Sequence, residues 1–292
     1  MEYTLENEYL RVTVTQWGAQ VKSVLRKCDG VEHIWQGDPS VWKYHSPVLF
    51  PYAGQVRGGR TTIRGRTVEN LPIHGFARTR EHNLLQQTPD SLTLELREDG
   101  ETMATFPYRF RFLSTFRLEG EKLLHTLTVE NTDTEDFSFG IGYPPAFAIP
   151  FDENHSWQDY ELRFSETESP LCLATPTGLL NGEYYFLGNN IRSIPIEDGM
   201  FDGGSHCMVN LRSHSLGLYE KGSGRGVECT IENFPYCLIW SQAGTPRFVC
   251  IEPWHSLPGH EQDSGLWSEK AAAATVSPGE SWSTTLQTAF LR

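Results

Sequence analysis

Two-residue alternation is the feature that most constrains this chain. Leu92, Leu94 and Leu96 alternate with Thr93, Glu95 and Arg97, and Leu123, His125, Leu127 and Val129 alternate with Leu124, Thr126 and Thr128. Successive side chains of an extended strand point to opposite faces, so each run predicts a strand with one buried face. Phe110, Phe112, Phe116 and Leu118 continue the pattern less regularly. Between the runs fall turn signals: Asp29-Gly30, Asp99-Gly100, Glu119-Gly120, Asn131-Thr132-Asp133 and Ser277-Pro278-Gly279. The 26 Gly and 17 Pro are spread throughout and leave little room for long helices. Only Leu266 to Ala274 reads as helical, and its alanines fit a short covered segment equally well. The absence of βα alternation argues against doubly wound and barrel architectures. No repeat, low-complexity tract or linker interrupts residues 1–292. The expectation is all-β: one large antiparallel β-sandwich domain.

Composition narrows the partners. Hydrophobic residues make up 38% of the chain and charged residues 21%, which fits neither a disordered nor a membrane chain. With 24 Lys and Arg against 37 Asp and Glu, the formal charge of −13 repels phosphate backbones and anionic lipid. No apolar run approaches the ~20 residues of a membrane span. The N-terminus, Met1-Glu2-Tyr3-Thr4-Leu5-Glu6, has neither a basic nor an apolar leader pattern. The expected setting is the cytoplasm, with neither nucleic acid nor membrane as partner. Cys28, Cys172, Cys207, Cys229, Cys237 and Cys250 form no C-x-x-C pair. In that setting they read as free thiols, and a zinc site is disfavoured. Eight Trp and 11 Tyr suit a sugar ligand, because one face of a pyranose ring is apolar and stacks on an aromatic plane. Most such residues nevertheless serve in cores and at sheet edges.

Four ordered segments carry a more specific message. The first joins Trp17-Gly18-Ala19-Gln20 to Glu32-His33-Ile34-Trp35-Gln36-Gly37-Asp38 and Pro47-Val48-Leu49-Phe50-Pro51. The second is Pro72-Ile73-His74-Gly75-Phe76-Ala77-Arg78, and the third Gly142-Tyr143-Pro144-Pro145-Ala146-Phe147. The fourth runs from Phe234-Pro235-Tyr236 through Trp240-Ser241 to Cys250-Ile251-Glu252-Pro253-Trp254. Together they resemble the aldose 1-epimerase (galactose mutarotase-like) family across nearly the whole chain. The resemblance implies a galactose mutarotase-like β-sandwich that interconverts the α and β anomers of an aldose. A base takes the proton of the anomeric hydroxyl, an acid protonates the ring oxygen, and the opened sugar rotates and recloses. No metal or organic cofactor takes part.

Glu252 matches the family base. Its local sequence agrees: Phe248-Val249-Cys250-Ile251 is a continuous apolar run, as in a strand buried on both faces. Pro253 lacks an N–H, which places the carboxylate at the strand's end. Semi-burial there raises its pKa toward neutrality. An ordinary carboxylate at a sheet rim is the competing local reading. His74 matches the family's first histidine, which holds the sugar near its ring oxygen; Pro72 favours an extended approach and Gly75 a tight backbone beyond. Arg78 closes the same string. Trp254 and His255 follow the base and are candidates for stacking on or hydrogen bonding to the ligand, or for packing.

Three positions depart from the family. Where the family carries a second histidine as general acid, this chain has Pro144, which has no titratable group. Gln55 stands for the arginine of a Gly-Arg pair, and Gly203-Gly204 for an aspartate. Arg57 and Asp202 are nearby compensating groups, and His206 and His255 are candidate replacement acids. Substrate contacts are thus expected from Gln55, Arg57, Arg78, His206, Trp254 and His255, with Glu252 and His74 as the catalytic pair. The competing functions are a non-catalytic carbohydrate-binding protein and a glycoside hydrolase using paired carboxylates. The sequence leaves the sugar, its phosphorylation and the oligomeric state open.

Overall fold

A computed structural model describes all 292 residues, Met1–Arg292. The alternating runs become strands: Leu92–Leu96 lie in Ser91–Arg97, and the later runs form Phe110–Glu119 and Lys122–Asn131. These are three members of a nine-stranded antiparallel sheet. Its order is Ile191–Pro195, Tyr160–Glu168, Ser215–Glu220, Gly226–Thr230, Ser281–Leu291, Lys122–Asn131, Phe110–Glu119, Ser91–Arg97 and Asn83–Gln87. A second sheet has six strands, in the order Ala146–Ala148, Phe248–Trp254, Tyr236–Trp240, His206–Val209, Leu171–Leu173 and Tyr184–Phe186. A four-stranded sheet spans Glu2–Glu6, Leu10–Thr15, Gln20–Arg26 and Val31–Glu32, and two strand pairs complete the set.

One face of each large sheet supplies the core. Phe110, Phe112, Phe116, Leu127, Leu162, Leu218 and Phe290 of the nine-stranded sheet join one cluster with Cys172, Met208, Cys237, Ile239, Val249 and Ile251 of the six-stranded sheet. Burial of apolar surface between the layers is the dominant stabilising term. Two polar groups in this interior satisfy each other: Ser114 Oγ and His125 Nε2 lie 2.7 Å apart, so His125 belongs to the packing of its strand.

The stretch from Leu266 forms no α-helix. Trp267–Glu269 is a single 3₁₀ turn and Ala274–Val276 a strand, with Trp267 held by its indole N–H on the Ser138 carbonyl. Pro253 does not end its strand either. The ladder continues to Trp254, which pairs with Tyr236, while Pro253 pairs with Cys237. The Pro253 carbonyl accepts from the Tyr143 N–H, ahead of the first residue of the Ala146–Ala148 strand, so proline's missing donor faces an irregular segment where no ladder bond is lost. No helix is long and apolar enough to cross a membrane.

Candidate active site

The outer face of the six-stranded sheet carries a cleft of about 350 Å³, within the range of roughly 300–1,000 Å³ usual for small-ligand sites. Strand parity decides what it contains. Cys250, Glu252 and Trp254 point to the outer face, opposite Trp240, Leu238 and Tyr236 on the neighbouring strand. Val249, Ile251 and Pro253 point the other way, Val249 and Ile251 into the core. All seven residues of Phe248–Trp254 are buried, so Glu252 sits on a strand enclosed on both faces.

Glu252 is 6% exposed. Burial raises its pKa to about 8, with the Trp254 indole pulling it back slightly. The indole N–H lies beside the carboxyl but closes no hydrogen bond of ordinary geometry. Glu252 is the only carboxylate lining the cleft, which leaves no partner for paired-carboxylate glycoside hydrolysis.

His74 comes from the loop before the 3₁₀ turn Ala77–Thr79 and lines the same cleft. It is held in the left-handed region at φ 67°, a conformation uncommon for residues other than glycine and concentrated at functional positions. Gly75 follows at φ 69°, where a Cβ would fall 2.3 Å from the Phe50 carbonyl oxygen. Only glycine fits, and the loop is pinned further by the Ala77 N–H on that same carbonyl. Gly54 N–H donates to His74 Nδ1 across 3.0 Å. The neutral ring therefore carries its proton on Nε2 and offers a donor there. Burial, with a further push from the Arg78 charge, lowers the His74 pKa to about 3.

Aromatic rings line the cleft. Trp42 packs edge-on to Trp240, with centroids 5.4 Å apart, and stacks on Phe248 at 5.2 Å. Trp254 meets His74 edge-on at 5.6 Å, and the Arg78 guanidinium lies 4.8 Å over the Tyr44 ring. Pro144 also lines the cleft, where the resemblance places an acid. Its neighbour Tyr143 turns inward and accepts from the Leu127 N–H, anchoring this segment to the nine-stranded sheet.

The structure thus brings together Glu252, His74, Arg78 and Trp254 from the expected set. The other four lie outside the cleft lining. His206 pairs with Ile239, on the core-facing parity of its strand, and is engaged by Tyr185 Oη at 2.7 Å and the Met200 carbonyl. His255 has the same wrong parity: its Nε2 meets Thr284 Oγ1 at 2.8 Å between the Phe234 and Trp282 rings. Arg57 is exposed and donates to the Asp263 carbonyl, in a neighbouring polar hollow. The side chain of Gln55 faces the turn at Gly178, and Asp202 accepts from the Gly244 N–H. The sequence reading missed Trp42, Tyr44, Trp240, Ser205 and Leu238 as lining residues. For Trp240 and Leu238 the signal existed as even-numbered alternation opposite Glu252. Trp42 and Tyr44 come from a loop with no periodic pattern.

An antiparallel sandwich with an aromatic cleft around a buried carboxylate defines the class, a galactose mutarotase-like fold. The solved structure of a galactose mutarotase related enzyme from Lactobacillus acidophilus superposes with a TM-score of 0.94 at 26% identity, covering 99% of this chain and 97% of that one. A galactose mutarotase-like protein from Lactobacillus casei gives 0.91 at 26% identity over the full length of both. The aldose 1-epimerase family model matches residues 1–287, and the chain belongs to that family. Protein LacX (chromosomal) of Lactococcus lactis is 30% identical over 287 residues, 95% of each chain.

Proposed function

We propose that this protein binds an aldose in the cleft and interconverts its α and β anomers as an aldose 1-epimerase, in the cytoplasm and without a cofactor. The observation that carries the reading is Glu252: a buried carboxyl with a pKa of about 8, on a strand closed on both faces, among aromatic rings. In its ionised form it takes the anomeric proton, a role for which a pKa near the working pH is favourable. His74, with its proton on Nε2, donates to the ring oxygen as a neutral group. Trp42, Trp240 and Trp254 offer the apolar face of the sugar its stacking partners.

A second reading, sugar binding without catalysis, is favoured by one observation: Pro144 stands at the cleft where the family has its acid. Polarimetry separates the two. Freshly dissolved α-D-glucose and α-D-galactose are followed with and without protein, alongside calorimetric titration. Acceleration of the approach to equilibrium supports the epimerase; binding without acceleration supports the second reading.

A further inference from the structure

The cleft holds one fixed cation that forms no ion pair with a carboxylate of the protein. Arg78 is the only lysine or arginine among the lining residues. No carboxylate acts on it; its guanidinium lies over Tyr44, and its Nε–H is buried with no acceptor. Unpaired buried charges are costly, and those that persist cluster where a ligand supplies the missing partner. Arg78 is also close enough to His74 for its charge to disfavour a second proton on that ring. The two side chains come from one short loop and 3₁₀ turn, and both line the cleft.

We propose that Arg78 takes the place of the missing acid by stabilising, without giving up a proton, the negative charge that develops on the sugar's ring oxygen. The proposal rests on the epimerase reading above. Glu252 removes the proton from the anomeric O1. The O–H electron pair forms the C1=O1 double bond, and the C1–O5 bond breaks with its pair passing to O5. Arg78 and the His74 Nε2–H hold the resulting alkoxide. After rotation about C1–C2, the O5 pair attacks the other face of C1, and O1 takes its proton back from Glu252. One proton moves out and back, atoms and charge balance, and position 144 needs no titrating group. Preorganised donors aimed at a developing oxyanion act strongly in a water-poor site. A developing charge suits this site better than an anionic sugar, since the chain carries a formal charge of −13 and repels anions at a distance.

The test compares the parent with Arg78→Met, which keeps bulk but removes the charge, and Arg78→Lys, which keeps the charge. Thermal unfolding verifies that each is folded. With α-D-glucose and α-D-galactose, Arg78→Met is expected to lose about 10²–10³-fold in kcat with little change in KM, the loss typical of removing one oxyanion donor. Arg78→Lys should retain most of the activity, and added methylguanidinium should restore part of it to Arg78→Met. Adding Pro144→His to Arg78→Met should also recover rate. An unchanged kcat in Arg78→Met overturns the proposal, as does a loss confined to KM or seen only with sugar phosphates or uronates. If the parent itself accelerates neither sugar, the epimerase reading fails first and this one falls with it. An active parent with an equally active Arg78→Met variant sinks the role of Arg78 alone.

Discussion

Gly142 and Trp254 share a space that admits only one of a Cβ and an indole. The two residues form an antiparallel bridge, and a methyl group on Gly142 would fall 2.4 Å from Trp254 Cδ1 and 2.6 Å from Cγ. Contacts that short require the ring to move. Trp254 is 2% exposed and touches the His74 ring, so its position sets the floor of the cleft.

Gly142→Ala is therefore expected to weaken sugar binding about tenfold or more and to destabilise the fold by ~1–3 kcal/mol, the usual range for overpacking. Isothermal titration and chemical denaturation measure the two effects. Parental values for both would mean that the indole relaxes freely.

The pH profile of the rate follows from the state of each group in the cleft. The Glu252 pKa of about 8 means that the base form accumulates as pH rises through that value. His74, pushed to about 3, stays neutral across the working range. Between pH 5 and 9 the rate should climb along a single ascending limb with its midpoint near 8. A bell-shaped profile falling below pH 9 would reveal a titrating acid that this assignment lacks.

Stability should respond to the same carboxyl in the opposite sense. The native state holds the Glu252 proton up to about pH 8, while the unfolded chain releases it near 4.5. Its contribution is thus complete below 4.5 and is lost as pH rises through 8, on the order of a few kcal/mol in all. Buried His33 and His82, at about 4, and His125, at about 3, act at the other end. They stay neutral in the fold but charge near 6.5 when unfolded, so stability falls as pH drops below 6.5. Glu252→Gln, neutral at every pH, should match the parent's melting temperature at pH 5 and exceed it at pH 9. Equal melting temperatures at pH 9 would mean that the carboxyl is not desolvated in the fold.

Much of this was legible in the sequence, and the part that was not has a geometric cause. Leu92–Leu96 and Leu123–Val129 revealed their strands because a half-buried sheet writes its period into the chain. The run before Glu252 revealed a strand enclosed on both faces. His206 and His255 were misleading because proximity in sequence to Ser205 or Trp254 says nothing about face; a one-residue offset turns a side chain to the opposite side of the sheet. Pro253 looked like a strand end because the chain alone does not say on which side its missing N–H falls. Trp42 and Tyr44 reach the cleft from a loop, whose path is set by tertiary packing and leaves no periodic trace.

The cysteines permit a simple solution check. All six are free, and only Cys28 is exposed. Burial pushes the Cys172, Cys207 and Cys229 thiols up to about 12 and holds those of Cys237 and Cys250 well above the ordinary thiol value. A thiol reagent at pH 8 should label one cysteine in the native protein and six in denaturant without reductant. Fewer than six in freshly purified unfolded protein would mean that a disulfide had formed.

The most direct measurement is polarimetry of α-D-glucose and α-D-galactose with the parent protein and with Glu252→Gln at pH 8, each at matched concentration. The parent should shorten the time to anomeric equilibrium, and Glu252→Gln should lose about 10²–10⁴-fold of that acceleration while still binding sugar, as expected when a general base is removed. Equal rates for the two proteins would contradict the assignment of Glu252 as the base.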